Sequence, residues 1–163
     1  MAHGDLRPDT DGRRLVAIFD SPVAASLLHF AREAGYDTAL IEPDGSRRDS
    51  VRGPHDILAD VTGDALGPAV DVVVTDHDRT ELGPLLAAVL AHPTRWVGVM
   101  GSPRHTAPHV EALRSLGLPE DDISRVHRPI GLNIGSKSPA EIAISTLAGL
   151  LADRNGRPGG FDF

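Results

Sequence analysis

Cysteine is absent from the 163 residues, which removes disulfides, cysteine-ligated zinc, iron–sulfur clusters and thiol catalysis from consideration. Long apolar runs are missing too. None approaches the roughly 18 residues that a membrane-spanning helix needs, so no membrane partner is expected. The opening stretch MAHGDLRPDTDGRR is polar and lacks an apolar signal core, which predicts a cytoplasmic location. Positive charge is in deficit: the net charge of −7 argues against non-specific nucleic-acid binding and against a basic membrane-docking face. What is present suits folding. Hydrophobic residues make up 40% of the chain, and its length fits one compact domain with its own core.

Residues 1–13 read as a polar N-terminal arm and 154–163, rich in Gly and Pro, as a flexible tail. Between them, over 14–153, apolar runs alternate with helical patterns. LVAIF (15–19), TALI (38–41), DVVVT (71–75) and RWVGVM (95–100) read as buried strands, and DILADV (56–61) as a weaker one. Val23, Leu27, Phe30, Ala31 and Ala34 share one helical face, with Gly35 as its stop. Leu82, Leu85, Leu86, Val89 and Leu90 form a stripe at i, i+3, i+4, i+7 and i+8. Val110, Leu113 and Leu116 mark a further helix ended by Gly117, and a last helix runs from about Pro139 to Asp153. The pattern predicts a single α/β domain of Rossmann type: a mostly parallel sheet with helices on both faces. Ligands of such sheets sit at the carboxyl ends of the strands, which singles out loops 19–22, 75–80 and 100–106, with 129–138 joining them.

The first loop, FDSPVAAS (19–26), lacks the glycines that let bare backbone meet a pyrophosphate, and Asp20 adds charge of the wrong sign. Ser21 and Pro22 read as an N-cap and first helical residue. Glu42 stands where a ribose-binding acid is expected, a weak sign on its own. In the second loop, His77 between Asp76 and Asp78 fits either a tuned acid–base or cation-binding group, or plain helix capping by Asp78 or Thr80. In the third loop, Gly101 permits close backbone approach, Ser102 offers a hydroxyl and Arg104 a guanidinium fork suited to phosphate. Pro108 either bends the following helix or extends this loop to about Thr106. His105 and His109 are spaced as helical metal ligands, but no third ligand is evident and exposed histidines are expected. In PIGLNIGSKSPAEIA (129–143), Ser138–Pro139–Ala140–Glu141 reads as a capping box. Gly131, Gly135, Ser136 and Lys137 go beyond what a cap requires and suit a seat for an anion. No metal site and no catalytic nucleophile are assigned.

These stretches resemble the XdhC/CoxI family, accessory proteins for maturing molybdenum hydroxylases. The resemblance is carried by His77–Asp78 after the valine strand, by WVGVMGS (96–102) and above all by HRPIGLNIGSKSPAEIAISTLAGLLA (127–152). It implies a binding and delivery protein rather than an enzyme, with molybdenum cofactor (molybdopterin) or a related nucleotide as its ligand. The implied partners are a xanthine dehydrogenase or carbon monoxide dehydrogenase apoenzyme, a sulfurtransferase, and a separate chain carrying the family's N-terminal domain. Oligomeric state is open between monomer and homodimer. Where the family has a glycine-rich first loop of the kind GAGHVA, this chain has FDSPVA at 19–24. The expected cofactor-binding residues are therefore Gly101, Ser102, Arg104, His77, Asp78, Gly131, Gly135, Ser136 and Lys137. The alternatives are an NAD(P)-dependent oxidoreductase, disfavoured by the missing glycines, and a degenerate scaffold acting only through protein–protein contact.

Overall fold

A computed structural model describes residues 12–104 and 106–163. Most of the expected arm, and His105, lie outside the described residues. The sheet has six strands: β1 (Arg14–Ile18), β2 (Asp37–Ile41), β3 (Asp56–Leu58), β4 (Val70–Val74), β5 (Trp96–Val99) and β6 (Val126–His127). Their spatial order is β3-β2-β1-β4-β5-β6 and every pairing is parallel. The order reverses between β1 and β4, the switch point of a doubly wound sheet.

Helices cover both faces, which is why β1 and β4 could be read as unbroken apolar runs. Successive β1 residues point to opposite sides. Val16 and Ile18 join a core with α3 (Leu82–Leu90) and α4 (Pro108–Ser115). Leu15 and Ala17 join one with α1 (Pro22–Glu33) and α6 (Pro139–Arg154). The stripe foreseen on α3 is buried throughout. Ser21 caps α1, its Oγ accepting from the Ala24 N–H at 3.0 Å, with Pro22 as the first helical residue. At the amino end of β4, away from the switch-point loops, buried Asp71 pairs with Arg95 at 2.5 Å and with Arg154 at 3.1 Å, tying the end of α6 to the sheet. Burial raises the Asp71 carboxyl, outweighing both guanidinium groups.

Several expectations are corrected. Phe19 is not the last residue of β1: its φ of +75° turns the chain out of the strand. Asp78 and Thr80 do not cap α3; Glu81 holds the N-cap position without a side-chain bond, while the Asp78 N–H donates to Asp76 Oδ1 at 2.9 Å. Leu116 is 51% exposed, because the chain turns at Gly117 and Leu118 packs on the core in its place. The capping box is not formed. Ser138 makes no side-chain cap; instead Ser136 Oγ donates to the Glu141 carboxylate and accepts from the Ser138 N–H. Pro108 opens α4, so the loop before it is the longer of the two alternatives. His109 is buried, not exposed. Four short elements had no sequence signal: β6, α2 (Gly45–Ser50), α5 (Glu120–Ile123) and a 3-10 turn (Gly63–Ala65).

Candidate functional site

The carboxyl edge of the sheet has two unlike halves. Above β4 and β5 lies a cleft of about 840 Å³. Thr75 and His77 follow β4 and Met100–Arg104 follows β5; the segment 129–137 forms the facing wall, with Val23 of α1 and Ile142, Ser145 and Thr146 of α6 behind. Eight of the nine expected binding residues line this one cleft. The exception is Asp78, which is exposed and joined to His77 Nε2 at 3.6 Å. Gly101 and Gly135 thus face the same space. Among the described residues, neither of their N–H groups has an internal partner.

Arg128 shapes the β5 side. Its guanidinium donates to Ser102 O at 3.2 Å and Thr106 O at 3.1 Å. It lies so close to Gly101 that a Cβ there would be 2.5 Å from Nε and 2.8 Å from Cζ. The missing side chain at Gly101 is therefore used from within, by Arg128. Above that brace the Arg104 N–H donates to Ser102 Oγ at 3.2 Å, closing a turn. His109, in the first turn of α4, is buried with Nδ1 unbonded, and Arg128 Nε is likewise buried and unbonded. Burial, reinforced by the Arg128 charge, holds His109 below the ordinary histidine value. Partly buried His55, bonded to Thr38 Oγ1 at 2.7 Å, is lowered for the same first reason. Both rings stay neutral in the fold while the unfolded chain takes up protons below about pH 6.5. The stability they contribute is complete above that pH and is lost as pH falls through their lowered values. Thermal melting should show the midpoint dropping as pH falls below about 6.5, with a shallower drop in His109→Gln.

The facing wall is bound to α6. Gly131 has φ +81° and sits directly on the helix: a Cβ would be 2.9 Å from Ser145 Oγ and 3.2 Å from both Ser145 C and Thr146 N. Next to it, the Leu132 N–H donates to Ser145 Oγ at 2.7 Å and that hydroxyl donates back to Leu132 O at 2.6 Å. Gly135, at φ +67°, has open space around it. Ser145→Ala should cost about 1–3 kcal/mol in urea unfolding, because it leaves Leu132 O without its donor and the Leu132 N–H with only a long bond of 3.4 Å to Ser145 O. Arg104 and Lys137 are exposed at the cleft. Among the described residues neither makes an ion pair. Ile130, Ile142, Met100 and Val23 add apolar lining to the same cleft. A space lined in this way accepts a flat apolar body with an anionic tail.

The half above β1 and β2 is stitched shut. Ser21 Oγ donates to Thr75 Oγ1 at 3.0 Å, and Thr75 Oγ1 donates to Phe19 O at 2.9 Å, across the switch point. Glu42, fully buried, accepts from the Asp20 N–H at 2.8 Å, the Asp44 N–H at 2.9 Å and Arg79 at 2.8 and 3.2 Å. Burial alone would raise this carboxyl, but Arg79 and the two amides together hold it below the usual range. Glu42 is not a free ribose acid; it is an internal ion-pair partner. No group of three or more His, Asp or Glu that could hold a metal ion occurs among the described residues, the 76–78 loop included.

Sequence reasoning missed Thr75, Arg128, Ser145 and Thr146. Only the last two had a signal, a polar pair inside the otherwise apolar face of α6.

The family profile of the XdhC Rossmann domain matches residues 15–150. The uncharacterized protein YqeB of Escherichia coli (strain K12) is 38% identical over 89 residues, which are 55% of this chain and 16% of YqeB. The crystal structure of a xanthine dehydrogenase from Bacillus halodurans superposes with a TM-score of 0.67 at 22% identity, covering 88% of this chain and 45% of that one. The chain thus spans less than half the length of either, and its likeness to the crystal structure is one of fold.

Proposed function

Because the chain belongs to the XdhC Rossmann domain family, we propose that it is an accessory protein that binds molybdenum cofactor, or its nucleotide form, in the β4–β5 cleft and passes it to a molybdenum hydroxylase apoenzyme. The client is of the xanthine dehydrogenase or carbon monoxide dehydrogenase type. A sulfurtransferase, and a chain carrying the family's N-terminal domain, fit as further partners. The cofactor is cargo, and the redox chemistry of its metal belongs to the client. This chain's residues hold and orient. The backbone of Gly101–Ser102 and Gly135–Ser136, with the Arg104 and Lys137 side chains, takes the phosphate, and the Ile130–Ile142 wall takes the pterin rings. His77 lines the cleft beside the β4 end. No residue is assigned to a bond-breaking step.

One observation carries this reading: two glycine-bearing bends far apart in sequence line one cleft, and among the described residues the Gly101 and Gly135 N–H groups have no internal partner and Arg104 and Lys137 no ion pair. Such a site favours a negatively charged group. Its size is in the range of small-molecule sites. The test is titration of the purified chain with molybdopterin at physiological salt, followed by native mass spectrometry. A saturable one-to-one complex is expected. Absence of any complex would overturn the proposal.

A further inference from the structure

Rossmann sheets that bind dinucleotides offer bare backbone to the pyrophosphate at the first strand–helix turn, and an acid at the end of the second strand to the ribose hydroxyls. In this chain both places are taken by its own atoms. Arg79 reaches from the loop after β4 across the end of β1. Its guanidinium lies 4.5 Å over the Phe19 ring and forks onto both oxygens of Glu42 at the end of β2. With the Asp20 and Asp44 amides also bound, Glu42 accepts four hydrogen bonds, the capacity of a carboxylate. Nothing is left for a sugar.

The turn is committed in part, with the Ser21 and Val23 N–H groups left without an internal partner among the described residues. The Asp20 N–H points to Glu42, Pro22 has no N–H, and the Ala24 N–H is held by Ser21 Oγ. Phe19 keeps a left-handed backbone, ordinarily a glycine conformation, and its fully buried side chain carries Arg79 on its ring.

We propose that Arg79 is a built-in occupant of the ribose position. With Phe19 and Glu42 it makes the protein selective for ligands that fit wholly within the β4–β5 cleft. A mononucleotide or a pterin phosphate fits there; the second nucleoside of a dinucleotide gains no contact. The selectivity rests on the cleft reading proposed above; the plug itself uses residues outside that site and is tested without molybdopterin.

The probe is ADP-ribose, measured by calorimetry. Wild type should show no binding tighter than about 1 mM. Arg79→Ala should bind at least about tenfold more tightly, and Arg79→Ala/Glu42→Gln should lose that gain. Micromolar binding by wild type would overturn the proposal. So would a folded Arg79→Ala with no gain, or a gain that survives loss of Glu42. If circular dichroism shows that Arg79→Ala does not fold, two other measurements decide. Phe19→Gly, which removes the ring beneath Arg79, should also gain affinity, and no gain in the folded variant counts against the plug. In wild type, the Asp20 and Asp44 amide resonances should stay in place on adding ADP-ribose; their displacement would show that Glu42 can be reached.

Discussion

Replacing Arg104 and Lys137 together by alanine is expected to weaken molybdopterin binding about 100-fold or more. A hydrogen bond to a charged group contributes about 1.5–3 kcal/mol. Both cations are exposed in the free chain, so the lower end applies to each. Two such losses come to about 3 kcal/mol, and each 1.4 kcal/mol is tenfold. Fold stability should move by less than about 0.5 kcal/mol, since neither side chain has an ion-pair partner among the described residues. Wild-type affinity should fall as salt is raised, because both charges are screened by solvent ions, and the double variant should respond less steeply. Titrations at two ionic strengths, with a urea melt of each protein, check all three outcomes. Unchanged affinity would mean that the cleft does not hold the ligand's anion by these two groups.

The largest loss of stability is expected from Gly131→Ala. Two costs combine. The residue sits at φ +81°, where an L side chain is strained by about 1–3 kcal/mol. The new Cβ would also press on Ser145 Oγ and on the α6 backbone at Ser145 C and Thr146 N. A helix backbone cannot step aside as a flexible side chain can, so segment 131–132 must lift off. That breaks the reciprocal bond with Ser145, a further loss of about 1–3 kcal/mol. A total of about 2–6 kcal/mol is a large part of the stability of an ordinary domain, about 5–15 kcal/mol. Gly135→Ala is the control. It has the same sign of φ but open space around it, so only the conformational cost of about 1–3 kcal/mol applies. Urea unfolding of the two variants separates a glycine needed for packing from one needed for a turn.

The layered sheet was legible because its strands are buried on both faces and read as continuous apolar runs, and because the α3 stripe keeps helical spacing. The carboxyl-edge rule then brought loops 75–80, 100–106 and 129–138 together without any contact being known. What failed was decided by tertiary partners. Strand β6 is two residues long, too short for any periodicity. Ser138 and Glu141 have the spacing of a capping box, yet Ser136 captures the carboxylate first. His109 could not be told from a surface histidine, since its burial comes from tertiary packing, with Arg128, just after β6, close enough to act on it. Arg79, beside Asp78 and Thr80, reads as a solvated loop cation. Only the coordinates show it lying over Phe19 and locked to Glu42. By sequence, Gly101 reads as a point of close backbone approach and Gly131 as part of an anion seat. The space beside each is taken up from within, by Arg128 and by Ser145, while Gly101 still lines the cleft.

The wall opposite β5 is fastened to one helix at two points: Leu132 to Ser145, and Ser136 to Glu141. Between them Asn133, Ile134 and Gly135 make no hydrogen bond to any other described residue. That three-residue hem is the part of the wall that can billow outward at no bonding cost, and any wider gape must unfasten a tether or carry α6 along with it. The width of the doorway is therefore governed by a single helix and its buttons, not by a hinge between two bodies.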